Sequence, residues 1–124
     1  MNIPEDLQYT IDHEWVKIEN GIATIGITDY AQGELGDIIF IELPEPGDKF
    51  MAKDSIGTIE AVKTVADIYS PMQGKISEVN PTLEDEPECV NTDPYMRGWL
   101  LKLTDFTNND GDLLTADEYK KLVQ

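Results

Sequence analysis

The chain is predicted to be mainly β, with two antiparallel sheets forming a hybrid of sandwich and barrel. Three observations carry this. Short apolar runs rich in Val, Ile, Phe and Trp recur along the sequence. Gly, Pro and Asn-Gly punctuation separates them. Helical periodicity is confined to the region after Thr115.

In chain order, Trp15 to Ile18 are β-formers, with Val16 and Ile18 on one face. Asn20-Gly21 follows, and then Ile22 to Ile27. Both residues of an Asn-Gly pair tolerate positive φ, so a type I′ hairpin is expected there. Thr28 is positioned to cap a short helix near Asp29–Leu35, and Gly36 to end it. Ile38-Ile39-Phe40-Ile41 is a continuous apolar run of strand length, which predicts a strand buried on both faces. Pro44-Glu45-Pro46-Gly47 stops it. Further strands are expected at Ser55–Glu60, Val65–Tyr69, Lys75–Val79 and Trp99–Leu103, with turns at Pro71-Met72-Gln73-Gly74 and Asn80-Pro81. Thr115-Ala116-Asp117-Glu118 has the pattern of a capping box. Tyr119, Leu122 and Val123 then repeat at helical spacing, predicting a final helix over about 115–123 docked on the sheets.

Composition narrows the function. With 124 residues the chain reads as one domain, residues 1–124. Its 25 acidic against 9 basic residues give a formal net charge of −16. Nucleic acid is therefore a poor partner, and so is an anionic membrane surface. Basic patches on other proteins suit it better. One cysteine, Cys89, allows no internal disulfide. The first residues have neither a basic nor an apolar signal region, and no apolar run approaches the roughly 20 residues of a membrane helix. A cytoplasmic location is expected.

Catalytic sets are absent. His13 is the only histidine, and no nucleophile motif accompanies it. Cys89 follows the acidic run Glu84-Asp85-Glu86-Pro87-Glu88, which disfavours a thiolate. Asn108-Asn109-Asp110-Gly111-Asp112 has the look of a calcium loop. Setting Gly111 at position six, however, puts Phe106 first and Asp117 twelfth, so the ligand pattern fails and a solvated turn is expected.

What remains is Ile59-Glu60-Ala61-Val62-Lys63-Thr64-Val65-Ala66-Asp67-Ile68-Tyr69-Ser70-Pro71. Two strand-like runs flank a short turn with a lysine at its tip. Glu60 stands three residues before Lys63, and Gly74 eleven after it, expected in a tight turn past Ser70-Pro71. This arrangement is similar to lipoyl and biotinyl carrier domains, in which the modified lysine tops a β-turn. Biotinyl domains usually have Met on both sides of that lysine; here Val62 and Thr64 flank it, which favours lipoyl.

Over residues 9 to 103 the chain resembles the glycine cleavage H-protein family. The resemblance lies in His13-Glu14-Trp15-Val16, Gly26-Ile27-Thr28-Asp29-Tyr30-Ala31-Gln32, Leu35-Gly36-Asp37-Ile38, Glu42-Leu43-Pro44, Asp67-Ile68-Tyr69-Ser70-Pro71, Glu78-Val79-Asn80, Asn91-Thr92-Asp93-Pro94-Tyr95 and Trp99. Together these segments are specific; singly none is. Ala61 and Thr64 depart from the family's usual Ser and Ala, changes that keep the turn. Met96-Arg97 departs where smaller or acidic residues are common.

The resemblance implies a non-catalytic carrier of the lipoyl/biotinyl fold type, with lipoate amide-linked to Lys63. It implies that the arm shuttles an aminomethyl group from glycine decarboxylase (P protein) to an aminomethyltransferase (T protein). Dihydrolipoamide dehydrogenase (L protein) then reoxidises it, and lipoate-attaching enzymes install it. It also places Glu14 and Asp67 at a cleft where the loaded arm rests. Two alternatives stay open on sequence: an H-like carrier serving lipoyl relay or sulfur oxidation, and an unmodified binding module.

Overall fold

The computed structural model describes residues 1–107 and 113–124. Among the described residues, nine strands form two antiparallel sheets, with four short helices around them. In chain order they are β1 (Gln8–Tyr9), β2 (Glu14–Glu19), β3 (Ile22–Ile27), α1 (Asp29–Leu35), β4 (Ile38–Glu42), β5 (Lys49–Phe50), β6 (Ser55–Ala61), β7 (Val65–Tyr69), β8 (Gln73–Val79), α2 (Thr82–Asp85), α3 (Cys89–Thr92), β9 (Leu101–Thr107) and α4 (Ala116–Leu122). One sheet has the order β1-β2-β3-β9-β8-β5, the other β4-β6-β7. The core includes Val16, Ile25, Ile41, Ile59, Ile68, Ile76, Leu101 and Leu103 from both sheets, and Met72 from the β7–β8 connection, all buried.

Local signals account for much of this. Asn20 and Gly21 take φ of 52° and 77°, as the β2–β3 hairpin requires. The Thr28 hydroxyl accepts from the Ala31 N–H at 3.1 Å and so caps α1. Gly36, at φ 80°, ends it by donating its N–H to the Gln32 carbonyl. At α4, the Glu118 N–H donates to Thr115 Oγ1 and the Thr115 N–H donates to Glu118 Oε1, closing the expected capping box.

Helix α4 docks through Tyr119. Its ring stacks on Tyr9 with centroids 4.7 Å apart. Its hydroxyl lies 2.7 Å from Thr28 Oγ1 and 2.9 Å from His13 Nδ1. Burial lowers the His13 pKa, favouring the neutral ring. Every partner is satisfied if Thr28 donates to Tyr119 and Tyr119 donates to His13. Tyr119→Phe keeps the stack but leaves the buried Thr28 hydroxyl without this partner. It should lower unfolding free energy by about 1–3 kcal/mol. Urea unfolding should show a lower midpoint with an unchanged slope.

Several expectations are corrected. Strand β4 is not buried on both faces: Ile38 and Ile41 point inward, but Ile39 and Phe40 are 51% and 55% exposed. A β-bulge between Ile38 and Phe40 is the cause, because it inserts one residue and turns two consecutive side chains outward. Gly74 does not sit in a tight turn. It lies inside β8, opposite Phe50, where an added Cβ would meet Phe106 Cβ at 3.2 Å. Its lack of a side chain serves close packing with β9. Strand β9 begins at Leu101 rather than Trp99 and runs on to Thr107. Leu122, expected on the docked face of α4, is 48% exposed; Tyr119 and Ala116 make the buried contact. The segment Asn108–Asp112 lies outside the described residues. Among the described residues no cluster of His, Cys, Asp and Glu could hold a metal ion. Among the described residues, no helix is long and apolar enough to cross a membrane.

Candidate functional site

Strands β6 and β7 are neighbours in sequence and in the sheet, and Val62-Lys63 forms the tip between them. The Ala61 N–H donates to the Thr64 carbonyl at 2.8 Å and closes the turn. Positive φ is not needed at the tip, which is why β-branched Val62 and a lysine fit there without a glycine. Lys63 is exposed. Among the described residues its amine joins no ion pair, so acylating it would strand no carboxylate.

The base of the tip is held from the side. The Val62 N–H donates to the Asp37 carbonyl at 3.0 Å, tying the turn to the α1–β4 connection. Asn91 on α3 clamps that connection. Its Nδ2 donates to the Gly36 carbonyl at 2.8 Å and to Gln32 Oε1 at 3.0 Å, while its Oδ1 accepts from the Ile38 N–H at 2.9 Å. Gly36 also leaves room for the lysine, since a Cβ there would lie 3.4 Å from Lys63 Cε. These supports escaped the sequence reading. Asn91 stands in a segment that matches the family, but its partners are 53 to 59 residues away, so its neighbours in sequence give no sign of the clamp.

Register places the acids. Glu60 pairs with Phe40 on one side and Val65 on the other, so these three share a row on the outer face of the small sheet. The row two residues further on is Glu42, Thr58 and Asp67. Asp67 is thus exposed on the same face as Glu60. Its carboxylate lies 3.4 Å from Ser55 Oγ and 3.5 Å from the Tyr69 hydroxyl, both donors to it. Gly74 lies in the other sheet and takes no part in the tip.

Glu14 is different: it is 2% exposed. Its Oε2 accepts from the Tyr69 N–H at 3.0 Å and its Oε1 from the Thr10 hydroxyl at 3.0 Å. Strand β7 is an edge of the small sheet, and Glu14 satisfies a backbone donor at its end. Glu14 and Asp67 therefore both meet Tyr69, one at its backbone and one at its hydroxyl. That residue is about 13 Å along β7 from Val65, taking the usual rise of a strand. Burial pushes the Glu14 carboxyl up to about 8; the Tyr69 and Thr10 hydrogen bonds oppose this, nearby Asp12 adds to it, and Lys53 works against it.

A stability consequence follows from the sign. The folded-state pKa is raised above the unfolded value of roughly 4.3. Between that value and about 8, the folded chain keeps a proton that the unfolded chain has lost. Stability should therefore be fullest below that window and fall as pH rises through it. Glu14→Gln can keep Tyr69 with its carbonyl oxygen and carries no titrating proton. Its unfolding free energy should fall less than that of the unsubstituted protein across the same window. Chemical denaturation at a series of pH values measures both slopes.

Comparison with known proteins agrees with this geometry. Residues 7–124 match the family described as Glycine cleavage H-protein. The glycine cleavage system H protein of Listeria innocua is 57% identical over 122 residues, covering 98% of each chain. That of Staphylococcus carnosus is 51% identical over 125 residues, covering 99% of this chain and 98% of the relative. The crystal structure of a glycine cleavage system H protein from Mycobacterium marinum superposes with a TM-score of 0.88 at 41% identity, covering 96% of this chain and 97% of that one. On its sequence and its fold alike, the chain belongs to the glycine cleavage H-protein family.

Proposed function

We propose that this chain is the lipoyl-bearing carrier of glycine cleavage, working as one domain with the arm on Lys63. The observation that supports it most is an exposed lysine, without an ion-pair partner among the described residues, at the tip of a braced hairpin in a chain of this family. When bound as an amide, lipoate supplies a reducible disulfide at the end of a long tether. Everything else falls to the chain. The β6–β7 turn presents the Lys63 amine to an attaching enzyme. Val62 and the Asn91 clamp hold the base of the tether, so that its reach is set by the arm and not by a loose loop. A tether fixed at one end raises the local concentration of its far end near any docked enzyme.

Glu14 and Asp67, both meeting Tyr69, are proposed to line the place where the loaded arm rests. A cationic amine there would meet the exposed Asp67 carboxylate, while Glu14, buried and holding its proton up to about 8, fixes the Tyr69 end of β7. The clients in this reading are the P, T and L proteins, together with an enzyme that attaches lipoate. The strong negative charge suits basic docking patches on them. The chain itself carries no catalytic residue in this scheme. The relatives' names favour glycine cleavage over a relay or sulfur-oxidation role.

Reconstitution tests the reading. Glycine decarboxylase should release carbon dioxide from glycine with the acylated protein as acceptor, and only at background rate with the unacylated form. Equal rates with both forms would refute it.

A further inference from the structure

The outer face of the small sheet carries an apolar patch around the lysine. Ile39, Phe40, Val62 and Val65 are 51%, 55%, 73% and 62% exposed. Edge strands in soluble domains are ordinarily blunted with charge, and β4 is an edge. Here the bulge at Ile38/Phe40 does the reverse: it aims two large apolar side chains at solvent. Register then sets Phe40 and Val65 on either side of Glu60, in the row nearest the Lys63 turn. Strands β4, β6 and β7 contain no lysine or arginine. Exposed Asp37 lies beside the tip, and exposed Glu42, Glu60 and Asp67 lie on the same face. Large exposed apolar side chains flanking Glu60, with further acids around them, have the make-up of a protein docking site.

We infer that Phe40, with Val65, docks the enzyme that acylates Lys63, through an apolar surface on that enzyme rimmed by basic residues. This rests on the reading of Lys63 as the acylated residue. Contiguity with the reacting amine and charge complementarity select this occupant. The enzyme must bring an activated acyl group, such as an acyl adenylate, to Nζ. There the amide C–N bond forms, the bond from acyl carbon to phosphate oxygen breaks, adenylate leaves, and the nitrogen gives up a proton. The chain has eight lysines with the same side-chain amine, so the selection of one of them must come from what surrounds it. A partner seated over Phe40 and Val65 lies beside the Lys63 turn, on a sheet whose strands hold no lysine.

The test uses a purified lipoate-attaching enzyme with the unacylated protein as substrate. Phe40→Ser and Val65→Ser should each lower kcat/KM about tenfold or more, chiefly by raising KM, as loss of a central apolar anchor does. Phe40→Leu, which keeps an apolar side chain, should retain most of the rate. Ile22→Ser, an exposed apolar residue of the large sheet, should change nothing. Thermal unfolding of each variant shows whether it is folded, and Phe40→Leu serves as the reporter if the Ser variant is not. Acylation of Phe40→Ser and Val65→Ser at the unsubstituted rate would overturn the proposal. Two accompanying results would say what the patch serves instead. Loss of self-association in Phe40→Ser would make it a contact between copies. Normal acylation followed by poor turnover with glycine decarboxylase would assign it to a client. If the unsubstituted protein takes up acyl groups elsewhere than Lys63, the reading of Lys63 falls, and this proposal with it.

Discussion

Lys63→Arg should abolish carrier activity completely while leaving the fold intact. Arginine keeps the charge and much of the length of lysine, and its guanidinium stays protonated at any working pH. It offers no amine to acylate. The side chain is exposed at a turn whose hydrogen bonds are made by backbone groups of Ala61, Val62 and Thr64, so none is lost. The variant should melt within a degree or two of the unsubstituted protein, a change typical of exposed sites. It should nonetheless gain no lipoyl mass when incubated with an attaching enzyme and lipoate, and glycine decarboxylase should find no acceptor in it. The effect is all or none because one atom, Nζ, forms the link. Intact mass before and after incubation measures it.

The largest stability effect is expected at Gly26. This residue pairs with Trp15 across β2 and β3, and the indole lies close against it. A Cβ at Gly26 would stand 2.5 Å from Trp15 Nε1 and 2.6 Å from Cε2. Trp15 is 2% exposed, and its Nε1 donates to the Pro94 carbonyl at 3.0 Å. Gly26→Ala must therefore push the ring off the strand, costing packing and the Pro94 hydrogen bond together. Overpacking and a lost buried hydrogen bond sum to about 3 kcal/mol or more. For a chain of this size that lowers the melting temperature by roughly 10 °C. Thermal unfolding checks it, and Trp15 fluorescence should change in the folded state as well.

The parts of this fold that were legible in the sequence are those set by local chemistry. Asn20-Gly21, the Thr28 cap, Gly36 and the Thr115–Glu118 box each work through atoms within four residues, and each forms as expected. Strand β7 was placed to the residue at Val65–Tyr69. The failures share a cause in long-range register. Ile38 to Ile41 is uniformly apolar and has no alternation from which to read a face, so the bulge that exposes Phe40 left no signal. Gly74 looked like a turn residue because it follows Ser70-Pro71, yet its role is set by Phe106 and Leu103 on a distant strand. Strands β1 and β5 are two residues each, too short for periodicity to register.

The same division holds at the site. Lys63 and Glu60 were placed by spacing around a turn, and the structure brings both to the small sheet. The Asn91 clamp depends on contacts across more than fifty residues. The burial of Glu14 depends on the packing of the β1–β2 region against the end of β7, which composition does not show.

The central claim is that Lys63 alone carries the lipoyl arm, and peptide mapping by mass spectrometry of the protein isolated from its own cells tests it most directly. The account predicts one lipoyl group, found on the peptide containing Lys63, with every other lysine unmodified. A lipoyl group on Lys53 or Lys75, or a bare Lys63 in cells actively cleaving glycine, would contradict it.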